Sequence, residues 1–139
     1  MQPFMELSKQ VVSLELAKKL KELGVKQESL FWWRMLTKED GWEIWDSPSD
    51  AGGYECFSAF TVAELGEMLP EVLKDDEGIR FNLNIWKDSD VWYVSYWWEE
   101  DTRRSSDMKI ETFFEYTEAD ARAKMLIYLV ENGLFHKSS

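Results

Sequence analysis

The helix predicted over the last quarter of the chain is the feature that most constrains the fold. It begins after Thr117, has Asp120 at its third position and ends at Asn132-Gly133, which are residue types that favour the two ends of a helix. Its body, residues 121–130, is apolar on most sides. Because a helix of this kind has little surface suited to water, we expect it to lie buried against a sheet.

Two further helices are predicted by their caps. The first covers about residues 14–23, follows a serine N-cap and stops at Gly24. The second starts with the capping-box pair Thr61 and Glu64, and Pro70 ends it. Both helices are therefore short, and the second is the shorter.

Strands are predicted between the helices. The stretches with alternating or β-rich patterns are residues 30–36, 42–46, 79–86, 91–98 and 108–116. The turn Asp88-Ser89-Asp90 joins the third stretch to the fourth, and the last three stretches form an antiparallel meander. The order α-β-β-α-β-β-β-α predicts an α+β fold, with one mainly antiparallel sheet of about five strands and three helices on one face.

Length and composition fit a single domain. The 139 residues are the usual size of one domain, and hydrophobic residues make up 45% of them. We therefore expect one domain over residues 1–139, with residues 1–12 and 136–139 as flexible tails.

The charge of the chain favours some partners and disfavours others. There are 27 acidic residues against 16 basic ones, which gives a formal net charge of −11. Such a field repels phosphate backbones and anionic membrane surfaces, so direct binding to nucleic acid or membrane is disfavoured and a basic protein partner is favoured. No signal peptide or membrane-spanning run is found, and the single cysteine fits a reducing compartment. These features predict a cytoplasmic protein.

The sequence contains no recognisable catalytic or metal-binding motif. The only histidine, His136, follows the last helix, and Cys56 sits in an apolar segment without a basic neighbour. The acidic clusters are Asp75-Asp76-Glu77, Asp88-Ser89-Asp90 and Glu99-Glu100-Asp101. None has the spacing of a calcium-binding loop, and turn or solvated positions explain them. The sequence therefore predicts no enzyme activity, no cofactor and no metal.

The aromatic residues give the strongest indication of a binding surface. The chain has eight tryptophans, and three short helices cannot cover both faces of a five-stranded sheet. If Trp92 and the alternate residues after it face the helices, then Tyr93 and Trp97 face the other way. The predicted interaction surface consists of Arg80, Trp86, Tyr93, Trp97 and Phe113. A register shifted by one residue would reverse this assignment.

Four stretches are distinctive when taken together. They are SLELAKKLKELGVKQESLFWW, SAFTVAELGEMLPE, WYVSY and ADARAKMLIYLVENGL. They resemble a family of small acidic proteins of bacteria, bacteriophages and prophage-like elements that has no established activity. The resemblance covers about residues 13–134 and rests on helix caps and core positions. It implies an intracellular role in a mobile-element context and carries over no functional residue.

Two functions are compatible with these features. The first is a non-enzymatic interaction protein that binds a basic protein partner through the aromatic sheet face. Such a protein could inhibit a host nucleic-acid-binding factor, and it could also form a homodimer. The alternative is a small-molecule-binding domain with an aromatic-lined pocket between sheet and helices.

Overall fold

A computed structural model describes residues 6–48, 55–98 and 110–134 of the protein. The helices in these ranges are α1 (Leu7–Gln10), α2 (Leu14–Glu22), α3 (Val62–Met68) and α4 (Glu118–Glu131). The strands are β1 (Trp32–Thr37), β2 (Gly41–Trp45), β3 (Phe57–Ser58), β4 (Val72–Lys74), β5 (Arg80–Asp88), β6 (Val91–Trp98) and β7 (Phe113–Glu115).

The strands form two antiparallel sheets. The small sheet has the order β2-β1-β3, and the large sheet has the order β4-β5-β6-β7. The predicted α+β class, the antiparallel pairing and the three substantial helices are confirmed. The division into two sheets differs from the single sheet expected. The short strands β3 and β4 were also not predicted, because two or three residues cannot display an alternating pattern.

The core is built around α4. Its buried residues are Ala119, Ala121, Ala123, Met125, Leu126, Ile127 and Leu129. The helix contacts β6 and β7 as well as α2 and α3, so it is covered on several sides, as its apolar sequence predicted. Burying a Leu, Ile or Met side chain contributes about 1.5–3 kcal/mol each, which makes this helix the largest single contributor to the core.

The predicted helix ends are confirmed at α2 and α3. After α2, Gly24 adopts the left-handed conformation with φ of 88°. The N–H of Val25 donates a hydrogen bond of 3.0 Å to the carbonyl of Leu20, as in a Schellman motif. At the start of α3, Thr61 and Glu64 form both hydrogen bonds of the capping box.

The start of α2 is held differently from the prediction. The Ser13 side chain makes no cap hydrogen bond. Its backbone N–H instead donates to Oδ1 of Asp120 at 2.7 Å, which ties α2 to the first turn of α4. Val11 and Val12, which were expected in a flexible tail over residues 1–12, are buried, and Val11 forms a β-bridge with Thr61. The predicted tail at residues 136–139 lies outside the described residues.

Replacing Asp120 tests this link between helices. Burial, the largest cause, raises the pKa of Asp120 above its ordinary value, while the hydrogen bond from Ser13 acts in the opposite direction. Because the pKa of Asp120 is higher in the folded state than in the unfolded state, ionisation of its carboxyl lowers the stability of the fold. The neutral carboxyl gives its full contribution to stability below the unfolded-state pKa, and this contribution is lost as the pH rises through the folded-state pKa. Asp120→Asn keeps an acceptor for Ser13 without the charge, so we expect it to raise the free energy of unfolding at neutral pH.

Urea denaturation of wild type, Asp120→Asn and Asp120→Ala at neutral pH and below about pH 4 measures this effect. The advantage of the asparagine should shrink in acid, where the wild-type carboxyl is itself neutral. Asp120→Ala, which removes the acceptor, should cost about 1 kcal/mol. An asparagine variant that is less stable than wild type at neutral pH would contradict the argument.

Candidate interaction surface

None of the chain's eight tryptophans is fully buried. All of them lie on strands of the two sheets, and Trp97 is the most exposed, at 53%. Indole rings bury large apolar areas when they can. Their position on the sheets therefore leaves aromatic surface available for contacts outside the chain.

The pairing of β5 with β6 determines which side chains share a face of the large sheet. Trp86 lies opposite Tyr93, and Asn82 lies opposite Trp97; residues directly opposite one another project from the same face. Val94, which alternates with these residues, is completely buried, and β6 contacts α4. The face that carries Trp86, Tyr93 and Trp97 is thus turned away from α4, and we call it the outer face.

Four aromatic side chains on the outer face form a continuous row, which we call the aromatic ridge. Its members in order are Trp97, Trp86, Tyr93 and Phe114. The ring centroids of successive members are 5.2, 5.2 and 6.1 Å apart, which is the usual range for contacting aromatic pairs. The two ends of the ridge are exposed, with Phe114 at 62%, while the two middle rings are half-buried.

The orientation of the rings makes this surface a ridge rather than a flat platform. The planes of Trp86 and Tyr93 differ by 7°, so these rings stack on each other and cover each other's faces. Trp97 and Phe114 are tilted against them, by 54° and 40°. A platform that stacks successive bases needs free ring faces, and the middle of the ridge has at most one free face per ring.

The structure joins three of the five predicted site residues directly. Trp86, Tyr93 and Trp97 lie together in the ridge, in the register that the sequence analysis assumed. Arg80 is exposed and lies two residues before Asn82 on β5, so its side chain projects from the same outer face as that of Asn82. It lies at the opposite end of the strand from Trp86.

The prediction for Phe113 was wrong. Phe113 pairs with the buried Val94 and packs against Tyr128 of α4 at 5.4 Å, so it lies on the helix side of the sheet. Its neighbour Phe114 takes the place in the ridge. The prediction assumed a strand that alternates regularly from residue 108, whereas β7 begins only at Phe113. Regular alternation would place Ile110 and Phe113 on opposite faces, but both pack against the core.

Acidic turns lie at both ends of β5. The turn before β5 exposes Asp76 and Glu77, and the hairpin after it exposes Asp88 and Asp90. The first turn is closed by Asp75, whose Oδ1 accepts hydrogen bonds from the N–H groups of Glu77 and Ile79. The strand that carries Trp86 is therefore bordered by exposed carboxylates at both of its ends.

A cleft of about 380 Å³ opens between α2, α4 and β7. It is lined by Leu16, Lys19, Glu111, Phe113, Lys124, Ile127, Tyr128 and Glu131. Its two lysines are paired, Lys19 with Glu131 at 3.6 Å and Lys124 with Glu115 at 2.6 Å. The cleft occupies the position expected for a pocket between sheet and helices, and its volume is near the lower end of the range of ligand sites, about 300–1,000 Å³.

Two groups among the described residues have raised pKa values and take part in hydrogen bonds that hold the fold together. Besides Asp120, burial raises the pKa of the Tyr96 phenol, whose hydroxyl donates a hydrogen bond of 2.6 Å to the carbonyl of Pro70. Cys56 is half-buried, and His136 lies outside the described residues. Among residues 6–48, 55–98 and 110–134, no group of three or more His, Cys, Asp or Glu is placed to hold a metal ion.

Comparison of the chain with protein-family models, curated proteins and solved structures finds no match. The resemblance to phage and bacterial proteins therefore stays a prediction. Within the ranges that the structure describes, no helix has both the length and the apolar character needed to cross a membrane.

A double-mutant cycle tests the stacked pair at the centre of the ridge. We expect Trp86→Ala and Tyr93→Ala to be coupled by about 1 kcal/mol in the free energy of unfolding, because the two rings bury each other's faces. Urea denaturation of wild type, both single variants and the double variant gives the coupling energy. Additive effects of the two substitutions would mean that the rings do not stack.

Proposed function

We propose that this chain is a non-enzymatic protein-interaction module that binds a basic protein partner through the aromatic ridge. The observation that carries the proposal is a row of four contacting rings on a sheet face, exposed at both ends. Trp and Tyr are enriched among the residues that contribute most to protein–protein binding, and exposed apolar patches of this kind mark interaction sites.

The two ends of the ridge are the anchors of the proposed interface. Trp97 and Phe114 are 53% and 62% exposed, so a partner can bury most of their apolar area. Trp86 and Tyr93 are already packed against each other. Because these middle rings are held in place before binding, little side-chain entropy is lost when a partner covers them.

Charge supports a basic partner. The formal net charge is −11, and the carboxylates of Asp76, Glu77, Asp88 and Asp90 are exposed in the turns at the two ends of β5. Complementary charge increases the association rate and disfavours acidic partners. If the chain has the mobile-element origin that its sequence resemblance implies, a host nucleic-acid-binding factor is one partner of this kind, since its phosphate-binding surface is basic.

The same two features argue against nucleic acid as the ligand of the ridge. Phosphate backbones are repelled by a strongly acidic protein. Single-stranded bases bind by stacking on free aromatic faces, whereas Trp86 and Tyr93 use faces to stack on each other. An apolar groove on a protein surface fits a ridge better than a row of planar bases does.

The double variant Trp97→Ala, Phe114→Ala tests the proposal. We expect it to lose at least about 2 kcal/mol of partner binding, the level that defines an interface hot spot, while its free energy of unfolding changes little because both rings are exposed. The measurement is affinity capture from bacterial lysate at low and moderate salt, followed by titration of the captured protein. Tyr116→Ala is the matched control, since Tyr116 is 78% exposed and no ring contact joins it to the ridge among the described residues.

Binding that survives the double variant, or capture of only acidic proteins, would contradict the proposal. Sedimentation of the purified chain at several concentrations is the companion measurement. If the ridge pairs two copies of this chain instead, the mass will rise with concentration in wild type and Tyr116→Ala but not in the double variant.

The cleft between α2, α4 and β7 supports a small-molecule site as a second candidate function. A ligand present at 100 times its dissociation constant should stabilise the folded state by about 2.7 kcal/mol. A thermal-shift screen of metabolites against wild type and Leu16→Trp, which fills the cleft, measures this effect, with Trp97→Ala as the control. A hit that stabilises Leu16→Trp as much as wild type would place the ligand elsewhere.

A further inference from the structure

The edge of β5 that faces β4 is only partly covered. β5 runs from Arg80 to Asp88, but β4 pairs with it only from Arg80 to Asn82. One further hydrogen bond of 2.9 Å joins the N–H of Leu83 to the carbonyl of Glu71. Within the described part of the chain, no strand lies beside residues 84–88 on this side. We call residues 84–88 of β5 the open edge.

Pro70 explains why β4 does not extend along the open edge. It directly precedes Glu71 and has no N–H to donate to a neighbouring strand. Its carbonyl accepts the hydrogen bond of 2.6 Å from the hydroxyl of Tyr96. Tyr96 is buried and lies two residues after Val94 on β6, so its side chain is on the face of the sheet that packs against α4. The chain therefore turns out of the sheet toward the helices at Pro70.

The backbone groups of the open edge point away from the sheet. The N–H of Leu83 is directed toward β4, because it is bonded to Glu71. Hydrogen-bonding direction alternates along an antiparallel strand, so the N–H and C=O groups of Ile85 and Lys87 are directed to the same side. A row of such groups is a template for pairing with another strand. Ile85 and Trp86, on opposite faces, are only half-buried, so an added strand would cover apolar surface on both faces.

The lysine of the open edge does not block it. Lysine side chains on edge strands often prevent pairing with another chain. Nζ of Lys87, however, lies 5.6 Å from the centroid of the Trp92 ring, and Trp92 is directly opposite Lys87 on β6. The ammonium group thus lies over the neighbouring strand of its own sheet instead of extending past the open edge.

We propose that the open edge pairs with the open edge of a second copy of this chain, antiparallel and about a twofold axis. Trp86 is the central residue of the open edge, so full overlap places it opposite Trp86 of the second copy. Asn84 then lies opposite Asp88 of the other copy, twice by symmetry, and opposed residues project from the same face. An asparagine amide has two N–H donors. One of those of Asn84 donates to the carbonyl of Asn82 at 3.0 Å, and the other is available for the opposed carboxylate.

The same residues disfavour the neighbouring registers. In the proposed register, each Ile85 exchanges both backbone hydrogen bonds with Lys87 of the other copy. A shift by two residues toward the hairpin would place Lys87 opposite Lys87, and directly opposed like charges are destabilising. A shift by two residues in the other direction would place Lys87 opposite Leu83, whose N–H is already bound by Glu71. The open edge is therefore complementary to itself in one register.

Size and charge determine how such a dimer behaves. A contact between two strand edges is smaller than the usual stable interface of about 1,200–2,000 Å², so we expect the dimer to dissociate on dilution. Each copy has a formal net charge of −11, and salt screens the repulsion between the copies. Association should therefore strengthen as salt is added, which is the opposite of the behaviour expected for a basic partner on the ridge.

Disulfide cross-linking tests the pairing and its register, in a Cys56→Ser background that lacks the natural thiol. Opposed residues in a non-hydrogen-bonded antiparallel pair have Cα atoms about 4.5 Å apart, within the disulfide range of about 4.4–6.8 Å. On mild oxidation, an equimolar mixture of Asn84→Cys and Asp88→Cys should give at least about tenfold more linked dimer than either variant alone. In the single variants the two introduced thiols are displaced by about 13 Å along the strands. A mixture that links no better than the single variants would overturn the proposal.

A charge substitution gives a second test that needs no cross-link. Asn84→Asp places a carboxylate opposite Asp88 in both symmetric pairs and should raise the dissociation constant of the dimer at least about tenfold. Asn132→Asp, the same change at the C-cap of α4, is the matched control and should dimerise like wild type. Sedimentation equilibrium at several protein and salt concentrations gives the constants, and circular dichroism shows that each variant is folded. A wild-type chain that stays monomeric throughout, or equal dimerisation of Asn84→Asp, would refute the pairing.

The dimer does not depend on the proposed binding of a basic partner, and the two proposals fail differently. The ridge double variant Trp97→Ala, Phe114→Ala leaves the open edge intact and should dimerise like wild type. Loss of dimerisation in that variant would assign the contact to the ridge and overturn the edge pairing. Basic-partner binding that survives the double variant would contradict the ridge proposal and leave the edge dimer standing.

Discussion

The packing of α4 against the inner face of the large sheet is the contact on which the rest of the structure depends. It buries Val94 and Met125 completely and brings α2 and α3 onto the remaining sides of the same helix. Because the described helices are gathered around α4, none of them covers the outer face of the large sheet. The aromatic ridge is therefore a result of the architecture: the same alternation that buries one side of β6 leaves Tyr93 and Trp97 on the other.

Features set by neighbouring residues could be predicted from the sequence, and features set by distant pairing could not. The capping box at Thr61 and the glycine after α2 involve only a few adjacent positions, and β6 was predicted with its observed bounds. The division into two sheets depends on which strands pair, and no local pattern specifies that. The position of Ser13 shows the same limit, since its backbone N–H is bound by Asp120, which is 107 residues away in the chain.

The same contrast between local patterns and strand pairing explains which residues of the candidate site could be predicted. Trp86, Tyr93 and Trp97 could be placed on one face because β5 and β6 form a long hairpin with regular alternation. Phe113 was misplaced because β7 is short and the residues before it do not continue its alternation.

The position of α4 in the chain also affects how the protein folds during synthesis. Every strand in the described part of the chain precedes α4 in sequence, so each of them leaves the ribosome before the helix that buries the inner face of the large sheet. Until Met125, Leu126 and Leu129 are available, the core cluster that they share with Phe81 and Val94 is incomplete. Incomplete chains with exposed apolar strands are prone to aggregate, and the nascent chain is in this state until translation has passed α4.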